Sequence, residues 1–414
     1  MFLEKEGKLI YSYDGETVCI EAWGKDALRV RATKNRSFTG RDWALEAKDA
    51  HAGEVEIFED PSAKGGAFAN MYEGTDTSYG KITNGKLHAV INSGSVITFY
   101  HEDGRVLLKE HFRRLRDEES MPLNIMGREY SNGVGDNFRI VARFVARKGE
   151  KIFGMGQYQQ HELDLKGCML ELAQRNSQVS VPFYLSSIGY GFLWNNPGVG
   201  QVMFANNGTE WVTESGKEID YLVIAGDTPA EVEENYMTLT GKPPMMPEYG
   251  MGFWQCKLRY WNQEQLLSVA RKYKELGVPL DVIVVDFFHW TKQGEFKFDP
   301  KYWPDVPGMC RELKEMGIQV VVSVWPTVDI YSENFEEMKE KGYLVRTEHG
   351  VPLTMLCGGN EVFFDATNPD ARTYVWEKIK KNYYDQGAKL FWLDVAEPEY
   401  SVYDFKNYRY QLGS

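Results

Sequence analysis

The chain has 414 residues, which is long enough for more than one domain. Its composition, 43% hydrophobic and 26% charged, is ordinary for globular proteins. Its formal net charge of −13 argues against nucleic acid or an anionic membrane surface as a partner, because no basic excess is present to bind them. The sequence has no signal-peptide pattern at its start and no run of 18 apolar residues, so we expect no membrane span.

The five cysteines and seven histidines are scattered along the chain, with no CxxC motif and no Cys/His cluster. This distribution is typical of a cytoplasmic protein with reduced, mostly buried thiols. It also gives no set of ligands at metal-binding spacing. We therefore expect a cytoplasmic location, no metal site and no cofactor.

Residues 1–243 are predicted to be mostly β. Short apolar runs (8–13, 27–32, 88–92 and 95–100) are separated by turn signals such as Asp14-Gly15 and Asp103-Gly104. Strands at this spacing favour a β-sandwich. Two passages, 153–167 and 172–196, are either loops and strands of that sandwich or polar segments suited to recognising hydroxyl groups.

A Pro-rich stretch at 241–247 reads as a linker, so we place the domain boundary between residues 243 and 244. Beyond it, apolar runs at 252–257, 282–290, 318–326 and 389–394 alternate with helical patterns at 263–276, 309–316, 332–342 and 369–386. This alternation predicts a parallel α/β barrel or an open doubly wound sheet.

Each predicted strand ends in polar or aromatic residues, which parallel α/β folds place at the active site. The clearest case is the run 389–399, in which Asp394 follows an apolar strand and Pro398 prevents its continuation. Asp394 is therefore either a catalytic carboxylate or a cap of the strand or the next helix.

Five motifs carry a family resemblance: GFWQCKLRY (252–260), VVDFFHWTKQGEFKFDPKYWPD (284–305), VVVSVWPTVD (320–329), FDATNPDAR (364–372) and FWLDVAEPE (391–399). With the upstream FGMGQYQQ segment they resemble glycoside hydrolase family 31, the α-glucosidase and α-xylosidase family. The resemblance implies a mutarotase-like β-sandwich (1–243) followed by the N-terminal half of a (β/α)8 TIM barrel (244–414).

The resemblance also implies roles for individual residues. Asp394 matches the family nucleophile and Glu397 a supporting carboxylate, while Asp286 matches a ligand of sugar hydroxyls and Trp325 a pocket wall. Further wall aromatics are less specific, each being equally a substrate contact or a barrel-packing residue: Trp254, Phe288 and Trp290. His289 either contacts the substrate or packs beside Trp290.

The function implied is that of a retaining exo-α-glycosidase, either an α-xylosidase or an α-glucosidase, that forms a covalent glycosyl-enzyme on Asp394. The family acid/base lies on later barrel strands, and no residue here matches it. We therefore expect this chain to be an incomplete form that is inactive alone. Because a half-barrel exposes sheet edges, we also expect low solubility or pairing, for example as a homo-oligomer.

Two alternatives stay open at this level. One is a relative that transfers the glycosyl group to a sugar acceptor. The other is a non-catalytic carbohydrate-binding protein in which Asp394 is a hydroxyl ligand.

Overall fold

A computed structural model describes residues 1–61, 76–115, 123–352, 360–396 and 408–413. It divides into two compact units, Met1–Pro243 and Pro244–Ser414. In the part of the chain that it describes, no helix has the length and apolar character needed to cross a membrane.

The first unit is almost entirely antiparallel β-structure, as the alternating apolar pattern predicts. Its strands are β1 (Phe2–Lys5), β2 (Lys8–Tyr13), β3 (Glu16–Trp23), β4 (Ala27–Thr33), β5 (Ala50–His51), β6 (Glu54–Phe58), β7 (Tyr79–Asn84), β8 (Leu87–Asn92), β9 (Ile97–His101), β10 (Val106–Lys109), β11 (Arg113–Leu115), β12 (Leu123–Ile125), β13 (Arg128–Asn132), β14 (Phe138–Phe144), β15 (Ile152–Gln157), β16 (Met169–Leu172), β17 (Val179–Ser186), β18 (Tyr190–Trp194), β19 (Gly200–Ala205), β20 (Gly208–Gly216) and β21 (Ile219–Ala225). One helix, α1 (Pro229–Thr240), follows them.

These strands form a nine-stranded sheet in the order β1-β2-β3-β4-β21-β18-β17-β15, with β5 on β3, and two five-stranded sheets, β10-β9-β8-β7-β6 and β13-β14-β20-β19-β16; β11 and β12 pair separately. A single apolar cluster joins residues of the three large sheets and includes the stacked rings of Trp194 and Trp211, whose centroids are 5.5 Å apart. The predicted β-sandwich is confirmed.

The two passages left open by the sequence contribute strands β15 to β18 of this unit. The Gly-rich segment packs tightly, because a Cβ on Gly156 would lie 2.2 Å from the carbonyl oxygen of Val179 on β17. Gly156 also has a φ of +94°, which a residue with a side chain rarely adopts. The glycine is therefore required by strand packing at this point.

The second unit alternates strands and helices. Its strands are β22 (Trp254–Gln255), β23 (Val282–Val285), β24 (Gln319–Val324), β25 (Thr327–Asp329), β26 (Glu361–Phe363) and β27 (Leu390–Leu393). Its helices are α2 (Gln263–Glu275), α3 (Val306–Glu315), α4 (Phe335–Glu340) and α5 (Pro369–Ile379), the last continued by a π-helical turn (Lys380–Tyr384).

Local side chains cap three of these helices, although α3 begins at Val306, three residues before its predicted start at Met309. Asn262 accepts a hydrogen bond from the backbone N–H of Gln265, Asp305 from that of Gly308, and Asn368 from that of Asp370. Such N-caps satisfy backbone donors that have no partner inside the helix.

The sheet of the second unit is parallel, in the order β22-β23-β24-β27. One face packs against α2, α3 and α5 through Ile283, Val285, Val320, Val322 and Val324. The other face carries a smaller apolar cluster that includes Val282, Val284 and Val321. The four predicted parallel strands are thus present, and the two central ones, β23 and β24, are buried almost throughout as their apolar runs predict.

Several features of this unit differ from the sequence prediction. The helix predicted over 369–386 changes to a π turn at Lys380, and the helix predicted over 332–342 is reduced to Phe335–Glu340. The antiparallel pair β25–β26 was not predicted, because strands of three residues carry too little alternation to be recognised.

Candidate active site

Three of the predicted site residues follow three neighbouring parallel strands. Asp286 comes directly after β23, Trp325 after β24 and Asp394 after β27. Val285 pairs with Val322 and Val324 with Leu393, so the carboxyl ends of the strands lie at one edge. The backbone N–H of Asp394 extends this pairing by donating to the carbonyl of Val324 at 3.1 Å.

The alternation of the strands directs these residues to one face. Val284, Val321 and Leu390 belong to the cluster on the face opposite the helices. Asp286 lies two residues after Val284. Trp325 lies four residues after Val321, and Asp394 lies four residues after Leu390. Since side chains alternate along a strand, even spacings return to the same face.

The carboxylate of Asp286 is held by two donors. One oxygen accepts from the backbone N–H of Phe287 at 2.8 Å, and the other lies 3.5 Å from the Cys256 sulfur. Burial, followed by the charge of Asp286, raises the pKa of the Cys256 thiol to about 11. The thiol therefore stays protonated at neutral pH and donates to the carboxylate.

Cys256 was not predicted as a site residue. A signal was present, because Cys256 lies two residues after Trp254 and so shares its side of the first strand. Scattered cysteines, however, are more often inert core residues, and this one is recognised only through its contact with Asp286.

Aromatic rings gather around Trp325. Its ring centroid lies 5.2 Å from that of Phe287, 6.2 Å from that of Phe288 and 5.7 Å from that of Trp290. The Trp325 indole nitrogen is buried and has no hydrogen-bond partner in the described part of the chain. This site therefore combines apolar ring faces with a spare donor.

Trp254 is the predicted wall residue on the first strand of the sheet. It lies on β22, is 41% exposed, and donates its indole N–H to the carbonyl of Gly250 at 3.2 Å. Its side chain is thus tied to the segment that precedes its own strand.

Phe288 is held in a left-handed conformation, with φ of +61°. The Arg259 guanidinium lies over the rings of Phe288 and Trp261 and donates to the Phe288 carbonyl at 3.1 Å. Left-handed backbone is costly for a residue with a bulky side chain and persists only where surrounding contacts impose it. Arg259 supplies such contacts.

Asp394 is half-buried and is followed by a second strained residue. Val395 has a φ of +56°, which is a marked outlier for a β-branched side chain. Within the described sheet β27 is an edge strand, and Trp392 and Leu393 are 48% and 72% exposed. Glu397, predicted as the supporting carboxylate, lies outside the described residues.

His289 is 2% exposed, and both ring nitrogens have protein partners. Nδ1 lies 2.9 Å from the Asp286 carbonyl oxygen and Nε2 lies 2.9 Å from the Tyr383 hydroxyl. Burial lowers the pKa of His289 to about 4, so the ring is neutral near pH 7. These contacts favour the packing interpretation over direct contact with a substrate.

The described residues contain no group of three or more His, Cys, Asp and Glu side chains able to hold a metal ion.

Comparison with known proteins identifies the family. Residues 243–412 match the model of the glycosyl hydrolases family 31 TIM-barrel domain, and residues 17–202 that of the glycosyl hydrolase 31 N-terminal galactose mutarotase-like domain. The chain is 45% identical to an uncharacterized family 31 glucosidase, ORF2, of Pseudescherichia vulneris, over 99% of this chain and 76% of that protein. The chain belongs to glycosyl hydrolase family 31.

Two further relatives place the fold within this family. A GH31 α-xylosidase from a soil metagenome, solved in complex with xylose, superposes with a TM-score of 0.88 at 49% identity, over all of this chain and 60% of the other. α-Xylosidase A of Aspergillus niger is 31% identical over 92% of this chain and 52% of its own length. The described strands thus correspond to the first portion of a family 31 barrel, after its mutarotase-like sandwich.

The environment of Cys256 predicts a slow reaction with alkylating reagents. With a pKa of about 11, its thiolate fraction at pH 7.5 should be about two orders of magnitude below that of a free cysteine. Peptide mapping after timed iodoacetamide treatment would measure the rate, with Cys256→Ser confirming the assignment. Alkylation as fast as that of glutathione would contradict the proposed contact with Asp286.

The left-handed backbone at Phe288 predicts an inverted order of stability for small residues. Phe288→Gly should be about 1 kcal/mol more stable than Phe288→Ala, because glycine adopts positive φ without steric cost. The same pair at Phe287, whose φ is not positive, is the control and should show the ordinary order, with alanine more stable. Urea denaturation of the four variants gives the free energies, and one common order would refute the strain.

Burial of neutral His289 predicts a loss of stability in acid. Its folded pKa of about 4 lies below the unfolded value of 6.5, so the unfolded state binds the proton first. The contribution to stability is complete above pH 6.5 and is lost as the pH falls towards 4, by up to about 3 kcal/mol. The unfolding free energy of wild type minus that of His289→Gln should fall over this window, and a constant difference would disprove the prediction.

Proposed function

We propose that Asp394 is the nucleophile of a retaining exo-α-glycosidase that removes terminal α-linked xylose. The observation that carries this proposal is the meeting of Asp394, Asp286 and Trp325 at the carboxyl ends of adjacent parallel strands. In TIM-barrel enzymes this edge is where catalysis occurs. Membership of family 31 makes glycoside hydrolysis the chemistry to test.

In the proposed mechanism, the Asp394 carboxylate attacks the anomeric carbon while the bond to the leaving oxygen breaks and that oxygen receives a proton. Water then attacks the glycosyl-enzyme ester and releases the sugar with its original configuration. The reaction requires a second carboxyl as acid/base, about 5–5.5 Å from the nucleophile. We assign that role to no residue of this chain, and Glu397 keeps a supporting role.

Asp286 is proposed to bind sugar hydroxyls. Its carboxylate is already oriented by Phe287 N–H and the Cys256 thiol, so little freedom is lost when a hydroxyl binds. The indole N–H of Trp325, which lacks a partner in the described residues, can donate to another sugar oxygen. The rings of Phe288 and Trp290 complete an apolar wall for the sugar face.

The proposed preference for xylose over glucose is supported by the relatives and by the apolar surface of the aromatic wall. The metagenomic enzyme is an α-xylosidase solved with xylose, and α-xylosidase A of A. niger is a second relative. Phenylalanine rings offer no hydrogen-bond partner to the hydroxymethyl group that glucose carries and xylose lacks, so that polar group would lose its bonds to water.

α-Glucosidase activity is the second candidate, because the relative from P. vulneris is named a family 31 glucosidase. A comparison of matched α-xylosyl and α-glucosyl reagents on the same preparation separates the two candidates.

The decisive experiment is covalent trapping with 5-fluoro-α-D-xylopyranosyl fluoride, a reagent whose fluoride leaving group needs little protonation. The chain should become labelled on Asp394, and Asp394→Asn should lower the labelling rate by about three orders of magnitude or more, as loss of a nucleophile does. Mass spectrometry of the intact chain and of its peptides measures both.

The corresponding glucosyl fluoride serves as the specificity control and should label more slowly. Labelling that persists in Asp394→Asn would overturn the nucleophile assignment. Measurable sugar binding without any labelling would favour the carbohydrate-binding alternative.

A further inference from the structure

The π-helical turn after α5 is directed at the loop that follows Asp286. Two consecutive residues of the turn make hydrogen bonds to that loop. Asn382 donates its side-chain amide to the carbonyl of Phe296 at 3.0 Å, and the Tyr383 hydroxyl lies 2.9 Å from His289 Nε2. π turns are rare insertions in helices and are frequent at functional sites, so these contacts indicate a functional role for the turn at the loop after Asp286.

The direction of the hydrogen bonds around His289 follows from its partners. The carbonyl oxygen of Asp286 can only accept, so Nδ1 carries the proton. Burial keeps the ring neutral, with its pKa lowered to about 4, so Nε2 has no proton and must accept. The Tyr383 hydroxyl therefore donates to His289, and His289 donates to Asp286.

This chain of hydrogen bonds is fully enclosed. Tyr383 is 1% exposed and His289 2% exposed, and both rings pack against Phe298, with centroids 5.1 and 4.9 Å away. In such surroundings neither polar group can exchange its partner for water, so the pair fixes one arrangement.

The carbonyl held by His289 belongs to the same peptide unit as the N–H of Phe287. That N–H donates to the Asp286 carboxylate at 2.8 Å. One end of the planar peptide is thus fixed by His289, while the other end orients the carboxylate, so a rotation of the peptide would displace both.

We propose that Tyr383 and His289 are positioning residues for the Asp286 carboxylate, acting through the Asp286–Phe287 peptide. The proposal rests on the proposed function of Asp286 as a ligand of sugar hydroxyls. It assigns a role to the π turn, which carries Tyr383 from α5 to the loop after β23.

The experiment measures trapping by 5-fluoro-α-D-xylopyranosyl fluoride as an inhibition constant and a rate of covalent labelling. Tyr383→Phe keeps the ring and removes the hydroxyl, and it should weaken the reagent's binding about tenfold with a smaller change in labelling rate. Tyr384→Phe, in the same turn but packed on Trp376, is the matched control and should change binding less than about twofold.

Two variants of His289 separate the hydrogen bond from the packing. The amide nitrogen of asparagine can take the place of Nδ1, whereas that of glutamine takes the place of Nε2. Both variants remove the ring, so the packing loss is shared. His289→Asn should retain the tighter binding of the two.

Coupling to Asp286 is the readout that a purely structural role would not give. In an Asp286→Asn background, Tyr383→Phe should add little further loss, because the carboxylate it positions is already gone. Fully additive losses, or equal binding by the two His289 variants, would overturn the proposal.

A measurement on the resting protein distinguishes failure of this proposal from failure of the proposed function. ¹⁵N NMR of histidine-labelled protein at pH 7 should show His289 as the neutral Nδ1–H tautomer, assigned by its absence in His289→Gln. The Nε2–H tautomer or a charged ring would refute the hydrogen-bond chain whatever the labelling shows. Labelling that survives Asp394→Asn, in contrast, would refute the proposed function.

Discussion

The parallel register of β23, β24 and β27 is the constraint on which the candidate site depends. Val285 pairs with Val322 and Val324 with Leu393, which aligns three strand ends that are far apart in sequence. Two-residue alternation then directs Asp286, Trp325 and Asp394 to one face. A shift of one residue in any strand would turn its site residue towards the helices, so the apolar packing that fixes the register also assembles the site.

Backbone strain accompanies both carboxylates. Phe288 lies two residues after Asp286 and Val395 one residue after Asp394, and each has a positive φ. At each position the chain leaves its strand and turns sharply, which changes the direction of the side chains that follow. Such conformations cost on the order of 1–3 kcal/mol each and persist because neighbouring contacts impose them. At Phe288 those contacts come from Arg259.

The sequence predicts the layout of the second unit well and its connections poorly. Apolar runs reveal β23 and β24 because a strand buried on both faces must be apolar throughout. A similar apolar run reveals β27, although its residues are half-buried or exposed in the described sheet. The partner of His289 could not be predicted, since Tyr383 lies 94 residues away and its π turn has no sequence pattern. The role of Cys256 likewise can be recognised only from its contact with Asp286. The strands β25 and β26 are too short to show a periodic pattern in the sequence.

The described edge of the sheet also carries several energetic costs. The indole N–H of Trp325 is buried without a partner in the described residues, which costs about 1–3 kcal/mol. His289 is kept neutral by burial, and Phe288 and Val395 are strained. The face of the sheet that packs against the helices, by contrast, carries a continuous apolar core. At the edge where the two carboxylates meet, a sugar oxygen would satisfy the free donor of Trp325 while the strained residues keep the aromatic wall in place, as the proposed site requires.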